Sequence, residues 1–244
     1  MANYRSIIIL LLVCVTLVSG LAYWSGTGSS TTSNSTTNKN KITAPLTPKE
    51  QKIYKPEISN NMNPIAVLET TDGVIEIELF KDTMPITAGN FEKLVNEGFY
   101  NGIKFHRVIN GFMIQGGDPN TKTPNALTYG TGGPGYSIAD EHIKSDLLTN
   151  VRGTIAMANS GPNSGGSQFF INLTDNVNLD FDKQPLTSAH PVFGRVIKGM
   201  DIVDTIGKEP TNQRDLPLKD IVINSATIIS GQINDSAEVT PTSL

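Results

Sequence analysis

Few residues in this chain are equipped to do chemistry, and one of them sits in unusual company. In "FHRVINGFMIQGG", residues 105 to 117, Phe105, Val108 and Ile109 favour burial, and so do Phe112, Met113 and Ile114 beyond the turn; Arg107 stands among them. A guanidinium keeps its proton and presents five donors, so in apolar surroundings it needs a fixed partner or a task. Read without context, it is a structural ion pair or an edge-strand arginine. The other candidates are weaker. Ser164 and Ser167 in "GPNSGGSQFF" lack a G-x-S-x-G elbow and have no histidine near in sequence. Asp180 and Asp182 read as a solvated loop rather than as paired carboxylates. "GTGGPG", Gly130 to Gly135, satisfies G-x-G-x-x-G, but no apolar strand precedes it, Pro134 interrupts it and no helix opens there, so it reads as a surface loop.

Metal and cofactor chemistry is not indicated. The single cysteine, Cys14, lies in the hydrophobic N-terminus, and none of His106, His142 and His190 stands three or four residues from another, so no metal site and no disulfide are expected. Charge also excludes a class. Residues 1–62 carry six basic and two acidic side chains, a net +4, whereas residues 63–244 carry 13 against 21, a net −8. An acidic body lacks the basic face that a phosphate-tracking nucleic-acid binder requires.

The elements that must position these residues begin after a distinct N-terminal region. Ile7 to Trp24 are eighteen residues without a charge, about 27 Å as a helix. This segment, residues 1–24 with its flank, is expected to enter a membrane. Tyr23 and Trp24 favour an uncleaved anchor, Ser19, Gly20 and Ala22 leave a cleaved signal as the alternative, and Arg5 places the chain beyond Trp24 on the extracytoplasmic side. Residues 25–62, rich in Ser, Thr, Asn and Pro, are expected to form a flexible linker. Asn34 in the linker heads a glycosylation sequon; Asn172 heads another, in a strand where modification is disfavoured.

From Ile65 the pattern becomes that of a folded domain, expected over residues 63–232, with a disordered tail at 233–244. "IAVLETTDGVIEIELF" predicts a hairpin turning at Asp72 and Gly73, with Ile75, Ile77 and Leu79 on one face. "PITAGNFEKLVNEG" predicts a helix opening at Pro85, burying Ile86, Phe91, Leu94 and Val95, and stopping at Gly98. Strands are predicted at "IKFHRVI", "GFMIQGG", "GTIAMAN", "SQFFINL", "HPVFGRVI" and "DIVINSATII", and a short helix at "GMDIVDTIG". Many strands with two helices and no alternating rhythm indicate an antiparallel barrel or sandwich.

"FHRVINGFMIQGGD" and "GTIAMANSGPNSGGSQFFI" closely resemble the two signature stretches of the cyclophilins, the peptidyl-prolyl cis-trans isomerases. The resemblance runs from about Ile65 to Ser230 and takes in "TDG", "PITAGNF", "GTGG" and "HPVFGRVIKGMDIVD". It implies a mainly β fold, a closed eight-stranded antiparallel β-barrel capped by two α-helices, with the active groove on its outer surface. It also implies catalysis by Arg107 without a cofactor. The proline pocket then falls on Phe112, Met113, Phe170, Leu179 and His190, while Gln115, Ala158, Asn159 and Gln168 hold the peptide backbone and His106 lines the groove. Gln115 is also expected to orient Arg107. Ser160 stands where alanine is common. Asn178 occupies the position where many members carry tryptophan, and a longer loop, "FDKQPLTSA", separates Leu179 from His190. The missing indole implies weak cyclosporin binding with catalysis retained. The expected partners are flexible proline-containing polypeptides outside the cytoplasm. The alternative is a membrane-tethered module or chaperone that binds proline segments without accelerating their rotation.

Overall fold

The first hairpin sets the register of the sheet. In a computed structural model that describes residues 63–184 and 189–229, β1 (Ile65–Thr70) pairs antiparallel with β2 (Gly73–Leu79), and Thr70 lies opposite Gly73. The turn is therefore made by Thr71 and Asp72, one residue earlier than the Asp-Gly pair predicted. Thr70 explains the shift: its hydroxyl oxygen accepts the backbone N–H groups of Asp72 and Gly73 at 3.2 and 3.1 Å. Gly73 opens β2 instead, at φ 144°, where a Cβ would lie 2.6 Å from Cδ1 of Ile202. Ile75, Ile77 and Leu79 are fully buried, as their alternation predicts.

The remaining elements are α1 (Pro85–Asn96), β3 (Arg107–Ile109), β4 (Met113–Gly116), β5 (Thr154–Met157), β6 (Phe169–Asn172), β7 (Val192–Lys198), α2 (Met200–Ile206) and β8 (Ile223–Ile229). Phe91, Leu94 and Val95 of α1 are buried, but Ile86 is 46% exposed rather than in the core. Met84 at the helix start offers no side-chain cap. Glu141 supplies one from a distant loop, accepting the N–H groups of Ile86 and Thr87 at 2.9 and 2.6 Å. A carboxylate there satisfies two orphan donors and complements the positive end of the helix. Phe91 then packs against Tyr100, Phe193 and Phe169 at ring separations of 4.8, 5.2 and 5.4 Å, which ties the helix to β6 and β7.

All pairings are antiparallel, in the order β3-β4-β6-β5-β7-β2-β1-β8. The sheet is a half-barrel rather than the closed barrel expected, because β3 and β8 stand at its two edges and do not pair with each other. The predicted strand "IKFHRVI" is cut to three residues at Arg107–Ile109. Its preceding backbone bonds elsewhere: Gly102 and Phe105 donate to Ile223 and Ile221 at 2.7 and 2.9 Å, and Lys104 bridges Val222. These few bonds draw the edges together. The free edge of β3 is covered by a loop, with Val108 N–H donating to the Asp215 carbonyl at 2.8 Å.

The expected membrane or signal segment at 1–24, the linker at 25–62 and the tail at 233–244 lie outside the described residues, as do 185–188 of the long loop. Among the described residues, no helix is long and apolar enough to cross a membrane.

Candidate active site

Strand register gathers most of the predicted site. Arg107 on β3 lies opposite Gln115 on β4, Gln115 opposite Phe170 on β6, and Phe170 opposite Ala156 on β5. Directly opposed residues share a face. The neighbouring row, Val108, Ile114, Ile171 and Ile155, is buried in the core. Arg107, Gln115 and Phe170 therefore project from the other side, joined two residues away by Met113.

Beside this row stand the apolar side chains expected to line the proline pocket. Met113 and Phe170 are buried and Phe112, Leu179 and His190 half-buried. The His190 ring meets Phe170 edge to face at 5.4 Å. Its Nδ1 lies 3.1 Å from the Met157 carbonyl, which fits the tautomer that carries its proton on Nδ1. Burial pushes the His190 pKa below its usual value, so the ring is neutral and adds to the apolar wall.

The polar side of the groove is a chain of amides. Gln115 Nε2 donates to Gln168 Oε1 at 3.1 Å, and Gln168 Nε2 donates to the Gly132 carbonyl at 2.9 Å. Gly132 belongs to the glycine-rich loop, and that loop is folded for close approach: a Cβ there would lie 2.1 Å from Asp118 Oδ1. Asp118 is wholly buried and accepts the N–H of Gly130. Ala158 is half-buried, its N–H bonded to the Gln168 carbonyl at 3.0 Å, while Asn159 Nδ2 donates to the Ala189 carbonyl at 2.7 Å. His106 is turned inward instead. It is 6% exposed, neither ring nitrogen lies in good hydrogen-bond geometry although Lys104 and Gln168 are near, and burial drives its pKa down, with Asp118 opposing.

Two predicted details change. Arg107 is paired not with Gln115 but with Asp215, whose Oδ2 lies 3.5 Å from Nε; both side chains stay exposed, at 44% and 42%. Asp180 is not in a solvated loop: it is buried and accepts both the backbone N–H and the side-chain amide of Asn150, at 2.8 and 2.9 Å. Asn150 also donates to the His190 carbonyl at 3.0 Å. Asn172 donates to Asn150 Oδ1 and Thr154 Oγ1, and Asn176 donates to Asn172 Oδ1 and the Phe112 carbonyl. These buried asparagines brace the backbone behind the pocket. Full burial of Asn172 explains why its sequon is unavailable. No charge pattern or spacing marks them, because asparagines in "INLTDNVN" look like loop residues until their partners are known.

The serines are occupied structurally. Ser167 Oγ donates to the Gly117 carbonyl at 2.7 Å, and Ser164 Oγ donates to the Gly161 carbonyl at 2.6 Å while accepting the Ser160 N–H. Among the described residues, no group of three or more His, Cys, Asp or Glu is placed to hold a metal ion. Asn178, in the single turn Val177–Leu179, is exposed. The arrangement sets a cationic donor on the same sheet face as buried apolar side chains, with side-chain amides alongside. It can grip a ring and stabilise charge that develops next to it.

Residues 65–228 match the family model of the cyclophilin type peptidyl-prolyl cis-trans isomerase/CLD. The chain is 41% identical over 167 residues to peptidyl-prolyl cis-trans isomerase-like 1 of Mus musculus, covering 67% of this chain and 91% of the mouse protein. It is 43% identical over 166 residues to a peptidyl-prolyl cis-trans isomerase of Arabidopsis thaliana, covering 66% and 93%. A crystal structure of a Cryptosporidium parvum cyclophilin type peptidyl-prolyl cis-trans isomerase superposes with a TM-score of 0.59 at 30% identity, over 70% of this chain and all of that one. The same parasite protein, solved in the presence of the dipeptide Ala-Pro, gives 0.58 at 31% identity, over 68% of this chain and 99% of that one.

Proposed function

This chain belongs to the cyclophilin-type peptidyl-prolyl cis-trans isomerases, and from that premise we propose that Arg107 drives the reaction by stabilising the twisted prolyl imide. Resonance raises a barrier of roughly 18 to 20 kcal/mol to rotation about a peptide bond. Before proline both isomers are populated, but they exchange in about 10 to 100 s unaided. No bond is broken and no proton is consumed. Catalysis needs only that the ring be held, the preceding segment be free to swing, and the imide be favoured midway, when its nitrogen becomes pyramidal and localises a lone pair.

The single observation behind this reading is the register row in which Arg107 stands opposite Gln115 and Gln115 opposite Phe170, so that the donor and the proposed proline wall share one face. The apolar slot of Phe112, Met113, Phe170, Leu179 and His190 takes the proline ring and excludes water, which strengthens a charged hydrogen bond beside it. Gln115, Gln168, Ala158 and Asn159 meet the peptide backbone on the polar side. The Ala-Pro dipeptide used with the parasite relative fits a substrate of this kind. The shortest contact of Arg107 with Asp215 is through Nε, at 3.5 Å, which favours presenting the terminal nitrogens to the substrate. A protease-coupled assay on a proline peptide tests the reading: Arg107→Ala with undiminished turnover rejects it.

The setting is also a proposal. The uncharged run Ile7 to Trp24, with Arg5 before it, supports a tether that holds the isomerase domain outside the cytoplasm, where it assists folding of proteins limited by prolyl bonds. Intact mass of the protein taken from its own membranes distinguishes an anchor from a cleaved signal. An exposed Asn178 in place of an indole supports weak cyclosporin affinity.

A further inference from the structure

We propose that Asp215 is a positioning residue for catalysis, holding the Nε side of Arg107 so that the terminal nitrogens face the prolyl imide. The inference rests on the catalytic role proposed for Arg107. Asp215 sits 108 residues along the chain from Arg107 (215 − 107), in a loop whose geometry is set by its own backbone. Asn212 N–H donates to the Leu216 carbonyl at 2.9 Å, and Asp215 N–H donates to the Asn212 carbonyl at 3.0 Å. Asn212 Oδ1 accepts the N–H groups of Arg214 and Leu216 at 2.8 and 3.3 Å. Thr211 and Pro217 are bridged at the loop's base.

Within this brace Asp215 adopts φ 59°, left-handed backbone that side chains rarely enter and that aspartate and asparagine tolerate best. Its carbonyl is fastened to β3 through the Val108 N–H at 2.8 Å, one residue from Arg107. The carboxylate is thus fixed relative to the strand that carries the guanidinium. At 3.5 Å the Nε contact is an ion pair rather than a short hydrogen bond, and it is the closest approach of the carboxylate to the guanidinium.

That geometry has a kinetic consequence. A long, half-exposed arginine samples many rotamers, and ordering it during each rotation of the substrate would cost entropy in the transition state. A carboxylate anchored beside Nε lowers that cost beforehand, which is preorganisation of the donor. The ion pair is exposed, so the effect is modest.

Asp215→Asn keeps the backbone preference for φ 59° and removes the charge; Asp215→Gly keeps the backbone and removes the side chain. Exchange of a prolyl peptide, followed by NMR at high enzyme concentration, is expected to show kcat/KM lowered about threefold in both variants, the scale of an exposed ion pair. KM and the thermal midpoint stay at their wild-type values, and the Arg107 Nε–Hε resonance moves. In the Arg107→Ala background, Asp215→Asn produces no further loss. Wild-type kcat in Asp215→Asn, or an equal loss with Arg107 absent, overturns the proposal. Full turnover in Arg107→Ala with Asp215 intact removes the premise instead, and is read separately from either failure.

Discussion

The side-chain amide of Asn176 donates to the Phe112 carbonyl at 2.9 Å, joining two segments 64 residues apart at the proposed proline pocket. The same amide donates to Asn172 Oδ1 at 2.7 Å, so one side chain fastens a pocket wall to β6. Asn176→Ala strips Asn172 of its donor and the Phe112 carbonyl of one of its two. Leaving buried polar atoms short of partners costs about 1 to 3 kcal/mol. The unfolding free energy from urea titration is expected to fall by that amount with an unchanged slope, and a midpoint equal to wild type shows that the bond supports nothing.

Loss of the guanidinium is expected to act on rate rather than on folding. Arg107 is half-exposed and its ion pair is at the surface, so Arg107→Ala should unfold near the wild-type midpoint. By analogy with other preorganised donors, turnover falls by about 2.7 to 4 kcal/mol, roughly a hundredfold to a thousandfold. Arg107→Lys restores little, since an ammonium cannot keep a carboxylate at one edge and donors at the other. Line-shape analysis of a prolyl peptide measures both.

Acid should weaken the domain through its covered histidines. Burial lowers the pKa of His106 and of His190 from the ordinary value of 6.5. A folded pKa below the unfolded one means that the unfolded chain takes up the proton first. This contribution to stability is complete above about pH 6.5 and declines as pH falls towards the folded values. His190→Gln should flatten the slope of unfolding free energy as pH falls below about 6.5; a slope identical to wild type assigns the effect elsewhere.

Glu141 caps α1 from outside the helix, through two bonds at 2.9 and 2.6 Å. Glu141→Ala is expected to cost about 1 kcal/mol, as loss of an N-terminal cap does. Glu141→Gln recovers only part of it, because the amide keeps one acceptor but loses the charge that favours a helix N-terminus. Denaturant titrations of the two variants rank these effects.

Asn178→Trp tests the reading of the substituted position. Restoring an indole is expected to tighten cyclosporin binding in calorimetry while leaving peptide turnover close to wild type. An unchanged affinity would locate the discrimination in the long loop after Leu179.

Local pattern carries local structure, and this explains how much was legible in the residues alone. Alternation placed Ile75, Ile77 and Leu79 in the core, and Pro85 with its spaced apolar residues marked α1. The two signature stretches indicated Arg107, Gln115 and Phe170, which register then brings into one row. Where the reading slipped, a neighbour remote in sequence had decided the outcome. Ile86 fits the helical spacing but lies exposed at the first turn, whose N–H groups Glu141 caps. The predicted strand around Arg107 was shortened because its leading residues bond to the segment before β8.

By itself the sequence determined the period of each element and the family, and it singled out Arg107 as the candidate donor, since these depend on residue types within a few positions of one another. Only the tertiary structure decided that Asp180 is buried, that Asn150, Asn172 and Asn176 close a network behind the pocket, and that Asp215 stands at Arg107 Nε. A polar side chain takes its role from the partner it finds, and chain closure across a hundred residues, rather than local spacing, determines which partner that is.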